Sequence, residues 1–157
     1  MNLYTFGYEG LELDAFLARL KRAGVRQVVD VRELPLSRKK GFSKTALSAA
    51  LVAQGIEYVH VAALGCPKPI RRRVKLDGDR RRYEASFRGY LKTQIDSVRQ
   101  LARLARTKAV CLLCFEADYN QCHRSLVARA AVANGALRLV HLTAETETPD
   151  APLRAAA

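Results

Sequence analysis

The residue types best suited to chemistry follow two apolar runs of this chain. Asp-Val-Arg at residues 30–32 ends the first run, and Cys-Phe-Glu at residues 114–116 ends the second. Farther along, Cys122 and His123 stand where a helix is predicted to begin. Unpaired backbone N–H groups at a helix start favour a bound anion or a thiolate. Cys122 and His123 are therefore the candidate reactive pair, with Cys122 as a nucleophile.

Both segments also supply carboxylates and guanidinium groups. Asp30 and Glu116 are candidate acid–base catalysts, because burial near each other would separate their pKa values. Arg32 and Arg124 each carry a planar guanidinium group that can bind a phosphate or carboxylate through two hydrogen bonds. The alternative is a buried ion-pair network that closes the loops without taking part in a reaction, since such networks also perturb pKa values.

Two further interpretations concern the cysteines. One treats Cys122 as an ordinary small buried residue. The other groups Cys114, Cys122 and His123 as ligands for zinc or iron, but adjacent cysteine and histidine are awkward donors for one ion, so no metal or other cofactor is predicted. Cys111 and Cys114 point to opposite faces if they lie on a strand, which makes Cys111 a predicted core residue.

Signature loops of several common enzymes are absent from the sequence. The Cys-x5-Arg loop of cysteine phosphatases would place an arginine at position 120 or 128, where the chain has Asn120 and Ala128. Neither Gly-x-x-x-x-Gly-Lys nor Gly-x-Gly-x-x-Gly occurs. ATP- and NAD-dependent chemistry is therefore not predicted.

Short apolar runs alternate with helical patterns along the chain. The predicted strands cover residues 3–6, 27–31, 56–61, 109–115 and 137–142. The predicted helices cover residues 14–23, 43–55, 82–105 and 122–134; Gly135 ends the last, and Gly89 weakens the longest. This alternation predicts a single three-layer α/β domain over residues 1–142, with a mostly parallel five-stranded sheet and helices on both faces. Residues 143–157 lack a core pattern and are predicted to form a frayed tail.

Ligands of such sheets bind beyond the carboxyl ends of the strands. The segments after four predicted strands are rich in polar residues or glycine, and parallel strands would gather them along one edge of the sheet. The further candidates for substrate or anion binding in these segments are Gly7, Tyr8, Ser37, Gly65 and Ser125.

A basic segment at residues 71–82 follows the third of these loops. It contains Asp77-Gly78, a strong turn signal, and is predicted to be a small ribbon or a mobile loop over the site. Its candidate nucleic-acid-binding residues are Arg71, Arg72, Arg73, Lys75, Arg80, Arg81 and Arg82. The predicted partner is a nucleic acid or a phosphorylated small molecule, with binding that weakens as salt rises. The alternative is an ordinary solvated loop.

Composition narrows the class of protein. The 157 residues are 49% hydrophobic and carry 27 basic against 15 acidic side chains, a net charge of +12, which indicates a packed basic domain. No apolar run approaches the roughly 18 residues of a membrane span, and the first residues lack a signal-peptide pattern. Four cysteines in this context indicate free thiols rather than disulfides. We expect a soluble cytoplasmic protein with no membrane partner; the sequence does not set an oligomeric state.

Several of these motifs together resemble one protein family. They are Asp-Val-Arg at 30–32 with Pro35 and Ser37, Leu-Gly at 64–65, and Cys-x-Glu-x5-Cys-His-Arg at 114–124. The family is catalogued as domain of unknown function 488, and the resemblance extends from about residue 3 to residue 142. The resemblance implies a compact, cytoplasmic, three-layer α/β domain of bacteria and archaea. It implies no particular reaction. Family members often have Gly-His-Ser where this chain has Gly-Tyr-Glu at residues 7–9, so any role of that histidine cannot be carried over to this chain.

The sequence therefore predicts an enzyme that acts on a phosphate-bearing or nucleic-acid substrate at the carboxyl ends of the strands. The reaction is either hydrolysis or transfer through a cysteine, or acid–base chemistry by carboxylates. The alternative is a nucleic-acid-binding or regulatory module whose buried polar cluster is structural.

Overall fold

Strands and helices alternate along the chain in the computed structural model, which describes residues 1–133 and 136–151. The strands are β1 (Asn2–Gly7), β2 (Gln27–Asp30), β3 (Glu57–His60), β4 (Val110–Cys114), β5 (Arg138–Leu142) and β6 (Glu147–Pro149). The helices are α1 (Leu13–Arg22), α2 (Lys44–Ala53), α3 (Lys68–Asp77), α4 (Arg80–Thr93), α5 (Ile95–Ala105) and α6 (His123–Val132). Short 3-10 turns cover Ala62–Leu64 and Tyr119–Gln121.

One mixed sheet contains all six strands in the order β3-β2-β4-β1-β5-β6. The first five are parallel, and only β6 runs antiparallel, against β5. The register places Gly7 opposite Cys114 and Asp30 opposite Leu113, so the carboxyl ends of β1, β2 and β4 lie at one level. The loops after these strands therefore begin side by side.

Helices cover both faces of this sheet, and each face has its own hydrophobic core. On one face α1 and α2 bury side chains such as Phe16 and Leu47. On the other face α4, α5 and α6 bury side chains such as Phe87, Leu101 and Val127. The predicted α/β class and the mostly parallel sheet are confirmed. The helix α3 differs from the rest because it buries none of its own residues.

The strand β4 shows how the two cores are separated. Cys111 belongs to the core under α1 and α2, whereas Cys114 belongs to the core under α4, α5 and α6. The two thiols therefore lie on opposite faces, as the strand alternation predicts. Both of these cysteines are buried, and Cys111 lies in the core, as predicted.

The chain leaves two neighbouring strands toward opposite faces. After β2 it enters α2 on one face, and after β4 it enters α6 on the other. Loops that diverge in this way open a crevice at the carboxyl ends of the strands, which is where open α/β sheets bind ligands.

The basic segment is helical rather than a ribbon or a loop, so that prediction is wrong. Pro67 precedes α3, and Gly78 ends it in the left-handed conformation at φ 64°. Asp79 then caps α4 by accepting a hydrogen bond from the backbone N–H of Arg82 at 3.0 Å. Asp77-Gly78 predicts a turn, but here Asp77 is the last residue of α3, Gly78 ends that helix, and the following Asp79 begins α4.

Two other boundaries differ from the prediction. The long predicted helix is divided at Gln94, between α4 and α5, and not at Gly89. Strand β6 adds a sixth strand inside the segment that was predicted to be frayed. The carboxylate of Asp150 fixes this segment by accepting hydrogen bonds from Arg129 at 3.0 and 2.9 Å. The predicted cap Gly135 and residues 152–157 lie outside the described residues.

None of the helices in residues 1–133 and 136–151 has the length and apolar character that a membrane crossing requires.

Candidate functional site

A cleft of about 500 Å³ opens at the carboxyl ends of β2 and β4. Most of its lining comes from the loop after β2, the helices α3 and α4, and the segment from the end of β4 to the start of α6, with Tyr8 and Cys66 completing it. This is the crevice that the diverging loops create. Its size is ordinary for a small-molecule site.

The wall formed by α3, α4 and the loop after β2 is basic. Arg38, Arg71, Lys75 and Arg80 line it. Arg71 donates to Glu33 at 2.8 Å and to the carbonyl of Cys66 at 3.0 Å, and the guanidinium of Arg80 lies over the ring of Tyr83. Among the described residues, no carboxylate oxygen lies within 4.0 Å of a charged nitrogen atom of Arg38, Lys75 or Arg80. These three positive charges are therefore available to a ligand.

Beneath the wall, Asp30 and Arg32 form a closed pair. Asp30 is fully buried, and its two oxygens accept hydrogen bonds from Arg32 at 2.9 and 2.7 Å. Arg32 also donates to the hydroxyl of Tyr8 at 3.2 Å and to the carbonyl of Phe42 at 2.7 Å. Burial opposes the guanidinium charge, but the Asp30 carboxylate outweighs it and raises the pKa of Arg32. The pair ties the end of β2 to the loop that follows.

A tyrosine on the edge strand completes this pair. The hydroxyl of Tyr58 donates to Asp30 at 2.5 Å. Burial, together with the neighbouring carboxylate, raises the pKa of Tyr58 well above its usual value, so this hydroxyl keeps its proton. The backbone N–H of Arg32 also donates to Asp30, at 3.1 Å, so the Asp30 oxygens accept four hydrogen bonds, and Asp30 does not line the cleft in the described structure.

The loop between β4 and α6 is held by buried groups behind it. Arg124 is fully buried and donates to the carbonyls of Glu116 and Ala117. Ser125 donates to the carbonyl of Tyr119 at 2.6 Å. Gly7 lies against the Glu116 carbonyl so closely that a Cβ atom would overlap it. Arg124, Ser125 and Gly7 therefore position this loop, and the anion-binding role given to them stays a prediction.

The remaining predicted binding residues lie nearer the cleft. Tyr8 and Ser37 line it, and the ring of Tyr8 stacks on Phe42 with centroids 4.4 Å apart. Gly65 allows close backbone packing, because a Cβ there would lie 2.5 Å from the Cα of Glu33. The side chain of Ser43, the predicted cap of α2, pairs with the backbone of Ser37 instead of capping the helix.

The floor of the cleft carries the reactive residue types. Cys114, Glu116 and His123 line it, while Cys122 lies behind them and is only 3% exposed. The Cys114 sulfur is 3.3 Å from a Glu116 oxygen. Nδ1 of His123 lies 3.8 Å from the Cys114 sulfur and 3.9 Å from the Cys122 sulfur. Its other nitrogen, Nε2, donates to the carbonyl of Val31 at 2.7 Å, which leaves Nδ1 facing both sulfurs.

The environment separates the pKa values of the two floor thiols. Burial opposes ionisation of Cys122, but hydrogen bonds from Cys114 and His123 and nearby positive charge outweigh it and lower its pKa. The hydrogen bond to Cys122, together with burial, raises the pKa of Cys114. Burial raises the pKa of Cys66 to about 11, so this thiol is neutral at physiological pH. Cys122 is therefore the more acidic thiol, in the direction that the sequence predicts.

The pKa of the carboxyl group at the cleft floor shifts upward, opposite to the pKa of Cys122. Burial and the negative charge on Cys122 raise the pKa of Glu116 above its usual value. Burial also works against the charge on His123, but the Cys122 sulfur outweighs it and raises the histidine pKa. The protonation state of each of these floor groups therefore depends on the charge of its neighbours.

The basic segment divides between the cleft and the outer surface. Of its seven predicted nucleic-acid-binding residues, Arg71, Lys75 and Arg80 line the cleft. The others do not line it: Arg73 and Arg82 pair with Asp77 at 3.9 and 3.1 Å, and Arg72 and Arg81 are exposed. The two helices therefore present positive charge in more than one direction.

Sequence reasoning missed several residues of the cleft. Arg38 begins a visible run of basic residues at 38–40, which was a usable signal. Leu34, Leu36 and Phe115 form an exposed apolar lip at the mouth of the cleft. Loops have no periodic hydrophobic pattern from which such a lip could be predicted. Tyr58 was assigned only to an alternating strand, because its partner Asp30 is distant in sequence.

Comparison with known proteins identifies the family. The family described as Domain of unknown function DUF488 matches residues 12–131. The chain belongs to this family. The matched range contains every residue of the cleft lining named above except Tyr8. No curated protein and no solved structure matches the chain. Membership confirms the predicted family and brings no reaction with it.

Proposed function

We propose that this member of the DUF488 family is an enzyme that binds a phosphate-bearing substrate in the strand-end cleft and acts on it at the cleft floor. One observation carries the proposal: a wall with positive charges that have no carboxylate partner faces a floor with a carboxyl, a thiol and an imidazole group. Binding groups and reacting groups thus share one concave surface, as in most enzyme sites. The free, buried thiols suit the reducing cytoplasm.

The charge balance of the cleft favours an anionic substrate. Five basic and two acidic side chains line it, and of these Arg32 and Glu33 are already paired, with Asp30 and Arg71. Arg38, Lys75 and Arg80 remain without a carboxylate partner among the described residues. Charges of one sign in a concave, partly dehydrated surface attract the opposite charge strongly. A phosphate group supplies that charge together with several acceptor oxygens.

The apolar lip suggests what else the substrate carries. Leu34 is 59% exposed, Leu36 71% and Phe115 45%. Exposed apolar side chains at the mouth of a charged cleft gain free energy by covering an apolar or planar group. A nucleotide or another phosphate ester with such a group fits both the wall and the lip.

The chemistry is assigned to Glu116. It is the carboxyl group at the floor, whereas Glu33 is paired with Arg71 and Asp30 is enclosed by its own donors. In hydrolysis or group transfer, Glu116 takes the proton of the attacking O–H group and returns it to the departing group. The Asp30–Arg32 pair positions the loop that forms one side of the cleft.

Calorimetric titration with inorganic pyrophosphate and with AMP tests substrate binding. We expect the double variant Lys75→Gln/Arg80→Gln to bind either ligand at least about tenfold more weakly, because each lost charge contact is worth on the order of 1 kcal/mol. The matched control is Arg103→Gln/Arg106→Gln, which removes two exposed charges of α5 and its end. Equal loss in both variants would refute a specific anion site.

A nucleic-acid-binding module is the second candidate, and the exposed Arg72 and Arg81 favour it. These side chains continue the positive charge of α3 and α4 outside the cleft. If a polynucleotide is the ligand, Arg72→Gln/Arg81→Gln should weaken oligonucleotide binding and flatten its salt dependence while leaving AMP binding unchanged.

A further inference from the structure

The floor of the cleft contains three soft or borderline metal ligands that face one another. The sulfur atoms of Cys114 and Cys122 and Nδ1 of His123 all lie within 4.8 Å of each other, and all three residues are buried. The sequence argued against such a site because Cys122 and His123 are adjacent. In the structure Cys122 is the cap residue of α6 and has an extended backbone, whereas His123 is already helical. This change of backbone direction brings both side chains to the Cys114 sulfur.

From this arrangement we propose that Cys114, Cys122 and His123 bind one zinc(II) ion, with a fourth coordination position open to the cleft. Two thiolates and an imidazole form a donor set that selects zinc over magnesium or calcium. Two thiolate charges also balance the charge of the ion, so the buried site is neutral when it is filled.

The spacing of the three ligand atoms matches a tetrahedral ion. Bonds of about 2.3 Å to sulfur and about 2.0–2.1 Å to nitrogen place the sulfur and nitrogen atoms about 3.6 Å apart around zinc. Here Nδ1 of His123 lies 3.8 Å from one sulfur and 3.9 Å from the other. These two distances therefore need shifts of only a few tenths of an ångström, while the two sulfurs, which lie within 4.8 Å of each other, approach to about 3.8 Å when bound to zinc.

The histidine ring is already oriented as a ligand. Its Nε2 donates to the carbonyl of Val31 at 2.7 Å, so in the neutral ring, the form that binds a metal, the lone pair is on Nδ1, which faces the two sulfurs. Metal-binding histidines commonly donate their second ring nitrogen to a carbonyl or carboxylate in this way. The edge of the ring also packs on Phe87 in a T-shaped contact with centroids 5.4 Å apart, which limits its rotation.

The fourth position faces the substrate side. Cys114 and His123 line the cleft and Cys122 closes the site from behind, so the unfilled corner of the tetrahedron opens to the cleft. Glu116 stands beside that corner, 3.3 Å from the Cys114 sulfur. Three protein ligands with an open position are typical of catalytic rather than structural zinc sites.

Cobalt(II) titration of the full reduced chain tests the site, since cobalt accepts the same ligands and its thiolate complexes absorb light. We expect one cobalt ion per chain, a near-ultraviolet band from sulfur-to-cobalt charge transfer, visible bands of a tetrahedral ion, and loss of all of them when zinc displaces cobalt. Absence of a stoichiometric, sulfur-bound ion would overturn the proposal. No substrate is present, so the result is independent of anion binding.

Variants then identify the ligands. Cys114→Ser and Cys122→Ser should each bind cobalt at least about 100-fold more weakly, because even an outer-shell partner of a metal contributes 10–100-fold. Cys66→Ser is the matched control: this thiol lines the same cleft but lies outside the cluster, and the variant should keep both affinity and spectrum. Equal loss in the control would contradict the assignment.

A measurement on the unaltered chain covers the case in which these variants fail to fold. Alkylation resolved by mass spectrometry should show that zinc protects Cys114 and Cys122 and leaves the reactivity of Cys66 unchanged. Unprotected thiols at saturating zinc would refute the site. Azide added to the cobalt form should shift the visible bands; an unchanged spectrum would refute the open position.

Discussion

At the scale of single residues, the site depends on buried polar groups that form hydrogen bonds both within their own loop and to other elements. Asp30 has donors from its own loop and from the edge strand, and Arg32 reaches two further segments. A buried pair of this kind contributes little net stability, but removing one partner leaves a charge without compensation. Asp30 therefore affects the cleft through position, whereas Arg32 also lines it.

Removing one charge of the pair should destabilise the protein strongly. We expect Asp30→Asn to lower the free energy of unfolding by about 3–5 kcal/mol, since the guanidinium of Arg32 stays buried without its counter-ion. Urea unfolding measures the change. The control Asp96→Asn breaks an exposed pair with Arg99 and should change stability by less than about 0.5 kcal/mol. Similar losses in both variants would contradict this account.

At the scale of elements, strand β6 and helix α6 are joined to β5 through Asp150. This carboxylate accepts hydrogen bonds from Arg129 and from Nε2 of His141 at 2.9 Å. Nδ1 of His141 lies 2.7 Å from the hydroxyl of Thr5, which can donate to it. The neutral form of the histidine, protonated on Nε2, satisfies both contacts, so protonation of Nδ1 or of the Asp150 carboxylate disturbs the junction.

This junction should weaken in acid. Burial lowers the pKa of His141; for Asp150, burial works the other way but is outweighed by the hydrogen bonds from Arg129 and His141, so its pKa is also lowered. A group whose pKa is lowered by folding stabilises the fold at pH values above its pKa in the unfolded chain. Stability should therefore fall as the pH drops below about 6.5, where His141 contributes, and fall further below about 4, where Asp150 contributes.

Urea unfolding between pH 8 and pH 3.5 measures this loss. Asp150→Asn should remove its carboxylate component and flatten the profile below about pH 4, whereas Glu145→Gln, at an exposed position in the same segment, should not. A variant profile parallel to that of the unaltered chain would refute the role of Asp150.

The elements also show what sequence patterns can and cannot predict. Parallel strands and their helices followed from hydrophobic periodicity, because both faces of the sheet are buried. Helix α3 was missed because it buries no residue fully and only Ile70 and Val74 pack against a core, which leaves an apolar stripe too short to stand out among its basic residues. Strand β6 was missed because its stability comes from Asp150 and its partners, which are contacts made only after folding.

The candidate site was also predictable only in part. The rule that ligands bind at strand ends located Glu116 and His123, which do line the cleft. It did not show that Asp30 is enclosed, since the donor Tyr58 lies on another strand. Nor could it show that Cys114 and Cys122 approach the same histidine nitrogen, because that depends on where α6 begins.

At the scale of the whole molecule, two cores share one sheet. Neighbouring residues of each central strand point alternately into one core or the other, as Leu112 and Leu113 do. Loss of packing on one face therefore loosens strands that the other face also needs. The matched family range likewise includes helices from both faces.

This sharing predicts cooperative unfolding. We expect far-ultraviolet circular dichroism and tyrosine fluorescence to report one coincident transition in urea. Phe87→Ala should lower its midpoint in both signals equally, by a loss of about 3–5 kcal/mol, although Phe87 lies in only one of the cores. Two separate transitions, or a shift in one signal alone, would show that the layers unfold independently.

The absence of buried residues in α3 has a consequence for how the cleft exchanges its contents. The loop from β4 to α6 is pinned by Arg124 and by the backbone contact at Gly7, and the loop after β2 is pinned by Arg32. Helix α3 contributes Arg71 and Lys75 to the wall, and its only contribution to a core is the partly buried pair Ile70 and Val74. Detaching it exposes less apolar surface than detaching α4, which buries Tyr83, Phe87 and Leu91. Entry and release of a ligand are therefore expected to be timed by transient opening of α3, with the reacting groups standing still beneath it.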